Sequence, residues 1–456
     1  MSLRFSELDG ASVGVWGAGR EIGSFAAQLA RRVPQARIAV VALDADPGED
    51  VLAALGVPGA RLATGADVTQ ALAGCDVVVR SPGVSLYRPE LGALRAEGVP
   101  ITTATGLWLA ERGGAHVIAV TGTKGKSTTA ALLAHLVRAE GRAVALAGNI
   151  GVPALDLLDR PPSELAVVEL SSYQIADLES GPEVAVITNL FREHTDWHGS
   201  EETYYADKLR LLGLPGVRAA AVNARDRRLV KAMGRDPETT PFGTSDGWDV
   251  GPQGVTLRGE LVVASEELPL RGEHNALNLC AALAALAAVG MATPRLPDAL
   301  EGFQALEHRL EPVAERDGVL WVDDSISTTP ESTLAALASF ADLEIVLVGG
   351  GQDRGQDYAQ LARTLAERGA AVIGLPSTGP RLVAAARAAG VPATRAIETA
   401  GMEQAVARAR ELAGRGTVIL LSPAAPSYDT YRNFEERGAH FRRLAEDEGE
   451  GHLPGE

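Results

Sequence analysis

The chain has 456 residues, is 46% apolar with 50 glycines and 25 prolines, and carries a net charge of −17 from 42 basic and 59 acidic side chains. That length suits two or three domains. The acidic balance argues against a general nucleic-acid-binding surface, which needs a basic face, yet it leaves room for a phosphate-bearing substrate held by local Lys, Arg and backbone donors. No uninterrupted apolar run of about 18 residues offers a membrane span, and Met1-Ser-Leu-Arg-Phe-Ser-Glu7 lacks the apolar core of a signal peptide. Cys75 and Cys280 stand apart, with no metal or disulfide spacing, and are expected as small buried residues in a reducing cytoplasm.

The first stretch reads as one α/β unit. A strand over Ala11–Trp16 leads into Gly17-Ala-Gly-Arg-Glu-Ile-Gly23 and a helix through Arg32. A second strand, Ile38–Leu43, ends in Asp44 and Asp46. A third, Asp76–Val79, runs into Arg80-Ser-Pro-Gly-Val-Ser85. Glycines at the first turn and an acid after the second strand follow Rossmann logic. The spacing G-x-G-x-x-x-G is one residue longer than the dinucleotide fingerprint, so a ligand site and a plain tight turn both remain open.

The second unit starts near Gly114. The strand His116-Val-Ile-Ala-Val120 feeds Thr121-Gly-Thr-Lys-Gly-Lys-Ser-Thr128, and an Ala/Leu helix follows. Strand, glycine loop and helix start form a phosphate cradle, in which backbone N–H groups and the helix N-terminus face an anion. Gly122, Thr123, Lys124 and Gly125 supply the loop, Lys126 reaches the outer phosphates, and Ser127 or Thr128 offers a hydroxyl to Mg²⁺. Val120 stands where the first Gly of G-x-x-x-x-G-K-[ST] belongs. Three further strands end in polar clusters, at Glu169-Leu-Ser-Ser-Tyr-Gln174, at Asn189-Leu-Phe-Arg-Glu-His194 and at Asn223. Ligands gather at such carboxyl ends.

Glu169, closing an apolar strand beside the phosphate loop, is expected as a Mg²⁺ ligand, with a structural ion pair as the alternative. His194 can ligate a cation or touch a phosphate, while His198 reads as a mere loop neighbour. Lys208, on a helix, reads by itself as a solvated lysine. Asn275 is expected to cap the helix that follows His274. Asn278 can serve adenine through its amide.

The third unit follows Glu307-His-Arg309. Its strands hand over to Asp323-Asp-Ser325, to Gly349-Gly-Gly-Gln-Asp-Arg354 and to Ser422-Pro-Ala-Ala-Pro-Ser427. Arg309 can stabilise charge that develops during phosphoryl transfer. Asp324 can anchor a ribose or a metal-bound water, and an ion pair between the two is the structural alternative.

Taken in order, these motifs, with Gly148-Asn-Ile-Gly151, His274-Asn-Ala-Leu-Asn278 and Glu193-His-Thr-Asp196, resemble those of the Mur ligases of peptidoglycan synthesis. Their content resembles most the glutamate-adding, MurD-type branch, from about Val13 to Leu444. The shorter G-T-x-G-K-[ST] loop of that family accounts for Val120. The resemblance implies three α/β domains: a Rossmann-like domain over 1–113 for the UDP-substrate, a central ATP-binding domain over 114–307 with the phosphate loop, and a Rossmann-like glutamate domain over 308–456. It implies ATP and Mg²⁺ as cofactors, two ions with Mn²⁺ able to substitute. UDP-N-acetylmuramoyl-L-alanine and glutamate are the implied substrates, and the implied state is a cytoplasmic monomer whose third domain closes over the others.

On this comparison Gly17, Gly19, Arg20, Glu21, Asp44, Ser81, Pro82 and Gly83 hold the UDP group, and Asn149, Ser171 and Gln174 lie near the muramoyl end. ATP falls to Gly122–Thr128, Asn278, Arg309 and Asp324. Lys208 matches the family lysine that is carbamylated, so that Ser127, Glu169, His194 and Lys208 ligate metal. Lys126, Asn149, His194, Lys208 and Arg309 are the implied catalytic set, and Thr328, Arg354, Ser427, Tyr428 and Phe434 the glutamate contacts. The chain departs from the usual D-S-K-A-T-N string, reading Asp324-Ser-Ile-Ser-Thr-Thr329. This string, with Asp196-Trp-His-Gly199, is similar to a variant that adds L-glutamate.

Overall fold

The computed structural model describes residues 3–44, 51–149, 152–161, 164–191, 195–234, 237–270, 272–304, 307–340, 343–353 and 356–447. Asp46, Gly151, Glu193, His194 and Arg354 lie outside the described residues, as does the acidic tail from residue 448. The chain divides into two compact units, 1–268 with 274–303, and 269–273 with 304–456.

The first unit holds two sheets. β1 (Ser12–Trp16), β2 (Arg37–Leu43), β3 (Arg61–Thr64), β4 (Val77–Arg80) and β5 (Ile101–Thr102) form a parallel sheet in the order β3-β2-β1-β4-β5. Its strands read as near-continuous Val, Ile and Ala runs because both faces are covered. Val13, Val15 and Val79 pack with Phe25 and Leu29 of the helix Arg20–Arg32, while Val78 and Ala42 meet Leu72 and Leu91 on the other face.

The second sheet comprises β6 (Val117–Thr121), β7 (Val144–Gly148), β8 (Leu165–Glu169), β9 (Val184–Ile187), β10 (Ala219–Asn223), β11 (Glu238–Phe242), β12 (Trp248–Gly251), β13 (Gly254–Leu257) and β14 (Glu260–Ala264), in the order β14-β13-β12-β11-β10-β9-β6-β8-β7. The run from β7 to β12 is parallel, and β12 to β14 form an antiparallel meander. Leu132, Leu133 and Leu136 of the helix Lys126–Ala139 share one face with Leu279, Leu283 and Leu286 of the helix Glu273–Ala288. The opposite face, through Ala119, Val168 and Ile187, belongs to the same apolar cluster as Val15, Phe25 and Trp108. That shared core explains why two sheets form one unit.

The second unit is built on β15 (Glu311–Arg316), β16 (Val319–Asp323), β17 (Glu344–Gly349), β18 (Ala371–Gly374), β19 (Ala396–Glu398) and β20 (Thr417–Leu421), in the order β15-β16-β20-β17-β18-β19. Only the β15 edge is antiparallel. Along β17 the side chains alternate: Ile345 and Leu347 pack with Leu361 and Leu382, Val346 and Val348 with Met402 and Phe441.

One local expectation is corrected. The helix after His274 begins at Glu273, so Asn275 lies within its first turn and is not its cap. Among the described residues no helix is long and apolar enough to cross a membrane. Cys75 and Cys280 are both buried free thiols, as expected.

Candidate active site

The phosphate loop leaves β6 at Thr121 and enters the helix Lys126–Ala139 through Gly125, whose φ is +81°. A Cβ there would stand 2.2 Å from Asn278 Oδ1. Only glycine therefore lets this turn lie against the helix that carries Asn278. The residues after β9 brace the loop from the other side. Thr123 N donates to the Asn189 carbonyl at 2.8 Å, Lys124 N to Asn189 Oδ1 at 2.8 Å, and Thr188 Oγ1 to the Lys124 carbonyl at 2.6 Å. Lys126 Nζ donates to the Thr123 carbonyl at 2.9 Å, folded back over its own loop. The Thr123 hydroxyl lies 2.8 Å from Tyr204 OH and accepts from Phe191 N, so it serves the scaffold.

Glu169 ends β8 between Val120 of β6 and Gly148 of β7. Its side chain is 1% exposed. Asn149 Nδ2 donates to Oε1 at 2.9 Å, and Oε2 is buried with no hydrogen-bond partner. A buried carboxylate oxygen left unpaired is costly, and a hard cation would satisfy it. The donor set therefore fits a divalent metal here, with Ser127 in the first turn of the helix that follows the phosphate loop. Lys208 overturns its reading as a solvated lysine. It lies on the helix Glu201–Leu209, is 2% exposed, and donates from Nζ to the Gly122 carbonyl at 2.8 Å.

At the carboxyl edge of the first sheet, Gly17 has φ +107°, and a Cβ on it would stand 2.5 Å from Ser81 Cβ. The loops after β1 and β4 thus touch, which brings Gly17, Gly19 and Ser81 together. Gly19 sits at the N-cap of the next helix, and Arg20 reaches the Asn149 carbonyl at 3.4 Å. Glu21 is held by Gln174 Nε2 at 2.6 Å and Thr105 Oγ1 at 3.3 Å, and burial pushes its carboxyl up against those two hydrogen bonds. Gln174 and Ser171 also close a capping box on the helix Ser172–Ile175. The Asp44 carboxylate is paired with Arg88 at 2.6 Å. Arg80 is wholly buried, bonded to Asp177 at 2.9 Å and to the Val84 and Tyr173 carbonyls, so it holds its loop from beneath.

In the second unit, Asp324 follows β16 and is 2% exposed. Ser422 Oγ donates to it at 2.7 Å and Leu310 N at 3.3 Å. Burial raises its pKa to about 6, opposed by hydrogen bonds from Ser327 and Ser422 and by the charge of Arg309. His308 Nδ1 lies 2.7 Å from Asp323 Oδ2, and that bond raises its pKa. Glu311, near both, already receives His308 N and Arg442. Of the expected glutamate contacts, Thr328 is half-buried, Ser427 is buried and Tyr428 is 59% exposed. Phe434 opens the helix Phe434–Glu446 with its carbonyl on Ser325 Oγ, and its ring stands edge-on to His308. The buried Arg437 guanidinium ties Ser325 to the Ala425 carbonyl, and desolvation lowers its pKa to about 10.

Residues 120–286 match the Mur ligase middle domain, and residues 308–425 match the Mur ligase glutamate ligase domain. A relative from Micromonospora sp. named UDP-N-acetylmuramoyl-L-alanine–L-glutamate ligase is 43% identical, over 98% of this chain and 98% of its own length. The chain belongs to the Mur ligase family. Enzymes of the same name from Salinispora tropica and Xanthomonas campestris pv. campestris are 42% and 41% identical, covering 98% and 97% of this chain and 99% and 97% of their own. Among solved structures, this Mur ligase shares its fold with MurC from Thermotoga maritima (TM-score 0.59, 18% identity, 95% of this chain and 98% of that one). It also shares it with MurF from the same organism in complex with ADP (TM-score 0.59, 18% identity, 97% and 96%).

Reading the sequence missed a polar network in this Mur ligase. His198, taken for a loop neighbour, is buried between Ser172 and Asp207. Tyr87, from the loop after β4, donates to both Asp207 oxygens at 2.8 and 2.7 Å. Trp197 stacks on Tyr173 at 4.5 Å and donates to the Pro82 carbonyl at 3.0 Å. The Asp196-Trp-His-Gly199 string is the local signal, but spacing alone does not pair His198 with Ser172 and Asp207, or Trp197 with Pro82 over a hundred positions away.

Proposed function

We propose that this chain is an ATP-dependent ligase that joins L-glutamate to UDP-N-acetylmuramoyl-L-alanine, in cytoplasmic peptidoglycan precursor synthesis. The observation that carries this reading is the phosphate loop packed on Asn278 beside a buried Glu169 whose Oε2 is unpaired. The names of full-length relatives above 40% identity support the substrates and the enantiomer, as does the Asp324-Ser-Ile-Ser-Thr-Thr329 string.

In this reading, residues 1–113 hold the UDP group through Gly17, Gly19, Arg20, Ser81, Pro82 and Gly83. Residues 114–307 hold ATP, and residues 308–456 hold glutamate through Thr328, Arg354, Ser427, Tyr428 and Phe434. The alanyl carboxylate oxygen attacks the γ-phosphorus and ADP leaves, giving an acyl phosphate. The glutamate amine then attacks the acyl carbon, loses a proton, and phosphate departs with the C–O bond. Lys126 and Arg309 offset the charge that builds on the transferred group. Asn149, fixed by Glu169, orients the acceptor carboxylate. Ser127, Glu169, His194 and a carbamylated Lys208 would hold Mg²⁺, which supplies charge neutralisation at the phosphate oxygens.

The deciding assay incubates the protein with UDP-N-acetylmuramoyl-L-alanine, Mg·ATP and each glutamate enantiomer in turn. ADP release is expected with L-glutamate, along with a product that yields L-glutamate on hydrolysis. Faster release with D-glutamate would overturn the enantiomer, and no release with either would overturn the ligation.

A further inference from the structure

In the first sheet the strand order turns at β1, whose neighbours β2 and β4 leave in opposite directions. A crevice opens outside the carboxyl ends at such a point. Trp16, the last residue of β1, is completely buried there. The Arg88 guanidinium carbon lies 4.8 Å from the centre of the Trp16 ring. Its edges are fixed by Asp44 at 2.6 Å, on the far side of β1, and by Glu90 at 3.3 Å. Arg88 comes from the loop after β4, so it spans the crevice from one neighbour of β1 to the other.

An exposed ion pair alone would not account for this arrangement. Asp44 is 61% exposed, and a pair in water contributes little. What distinguishes the site is a planar cation seated over an indole and gripped by two carboxylates, with its side chain still 31% exposed. The rotamer freedom of Arg88 is already spent, which makes the plane a ready surface for another flat π system.

We infer that Arg88 recognises the nucleotide, its guanidinium forming the platform on which the pyrimidine base of the UDP-substrate stacks. This rests on the proposed function above. It adds to that reading a contact supplied by the loop after β4, and it gives Asp44 the task of holding Arg88.

The test is calorimetric titration of the full-length protein with UDP, with the non-hydrolysable ATP analogue AMP-PNP as the internal control. Arg88→Ala should weaken UDP binding roughly ten-fold and leave AMP-PNP unchanged. Arg88→Lys keeps the charge without the plane and should lose nearly as much. It also supplies the answer should the alanine variant not fold. Wild-type affinity for UDP in Arg88→Ala, or its restoration by lysine, would overturn the stacking role while leaving the ligase reading intact. A wild-type protein that binds AMP-PNP but not UDP would overturn that reading, and the stacking role with it.

Discussion

His198 is engaged through both ring nitrogens: Nδ1 lies 2.6 Å from Asp207 Oδ2, and Nε2 lies 2.9 Å from Ser172 Oγ. Asp207 also takes the Tyr87 hydroxyl and is the chain neighbour of Lys208. The network therefore fixes the helix Glu201–Leu209 to the loop after β4. His198→Ala removes two buried hydrogen bonds, to Asp207 and Ser172, and leaves a cavity, so it should lower the unfolding free energy of this unit by about 3 kcal/mol. Tyr87→Phe removes one hydroxyl and should cost about 1 kcal/mol. Denaturant titrations measure both, and a change under about 0.5 kcal/mol for His198→Ala would show the contacts to be inert.

Lys208 is the second point of leverage. Lys208→Met should reduce ligation by roughly 100-fold, the scale of losing one charged group from a transfer site. If the lysine works as its carbamate, exhaustive removal of CO₂ should reproduce much of that loss in the wild type, and bicarbonate should restore it. Activity indifferent to both treatments would remove the carbamate from the scheme.

Gly125 makes a steric prediction. Gly125→Ala places a methyl group against Asn278 at a φ of +81°, and the strain alone is about 1–2 kcal/mol. Affinity for AMP-PNP should fall roughly ten-fold. Gly23 has no atom within 4 Å of its added Cβ and lies inside a helix. Gly23→Ala should instead stabilise the protein by up to about 1 kcal/mol.

Asp324 sets a pH dependence in the second unit. Its pKa of about 6 lies above the ordinary carboxyl value of 3.8, so its contribution to stability is full below the unfolded value and is lost as pH rises through about 6. For that single group the loss between pH 5 and pH 8 is about 1.4 kcal/mol. Asp324→Asn abolishes this titration, so relative to wild type it should gain about that much over the same interval. Denaturant midpoints of both proteins at the two pH values provide the measurement, and parallel pH profiles would count against it.

The sequence alone revealed the order of the chemistry. Glycines before Lys126, an acid closing β8 and polar residues after apolar strands are local patterns, because strand ends and phosphate turns are set by neighbouring residues. The meander β12–β14 escaped this reading because its strands are short and partly exposed, so their pattern is weak. Burial and pairing were settled only by the tertiary structure. Lys208 reads as any surface lysine until its helix packs on the phosphate loop, and Asp44 as a free acid until Arg88 crosses from the loop after β4. Sequence spacing carries no distance between residues 44 and 88, or 87 and 207; only the packed sheets bring those groups within hydrogen-bond reach.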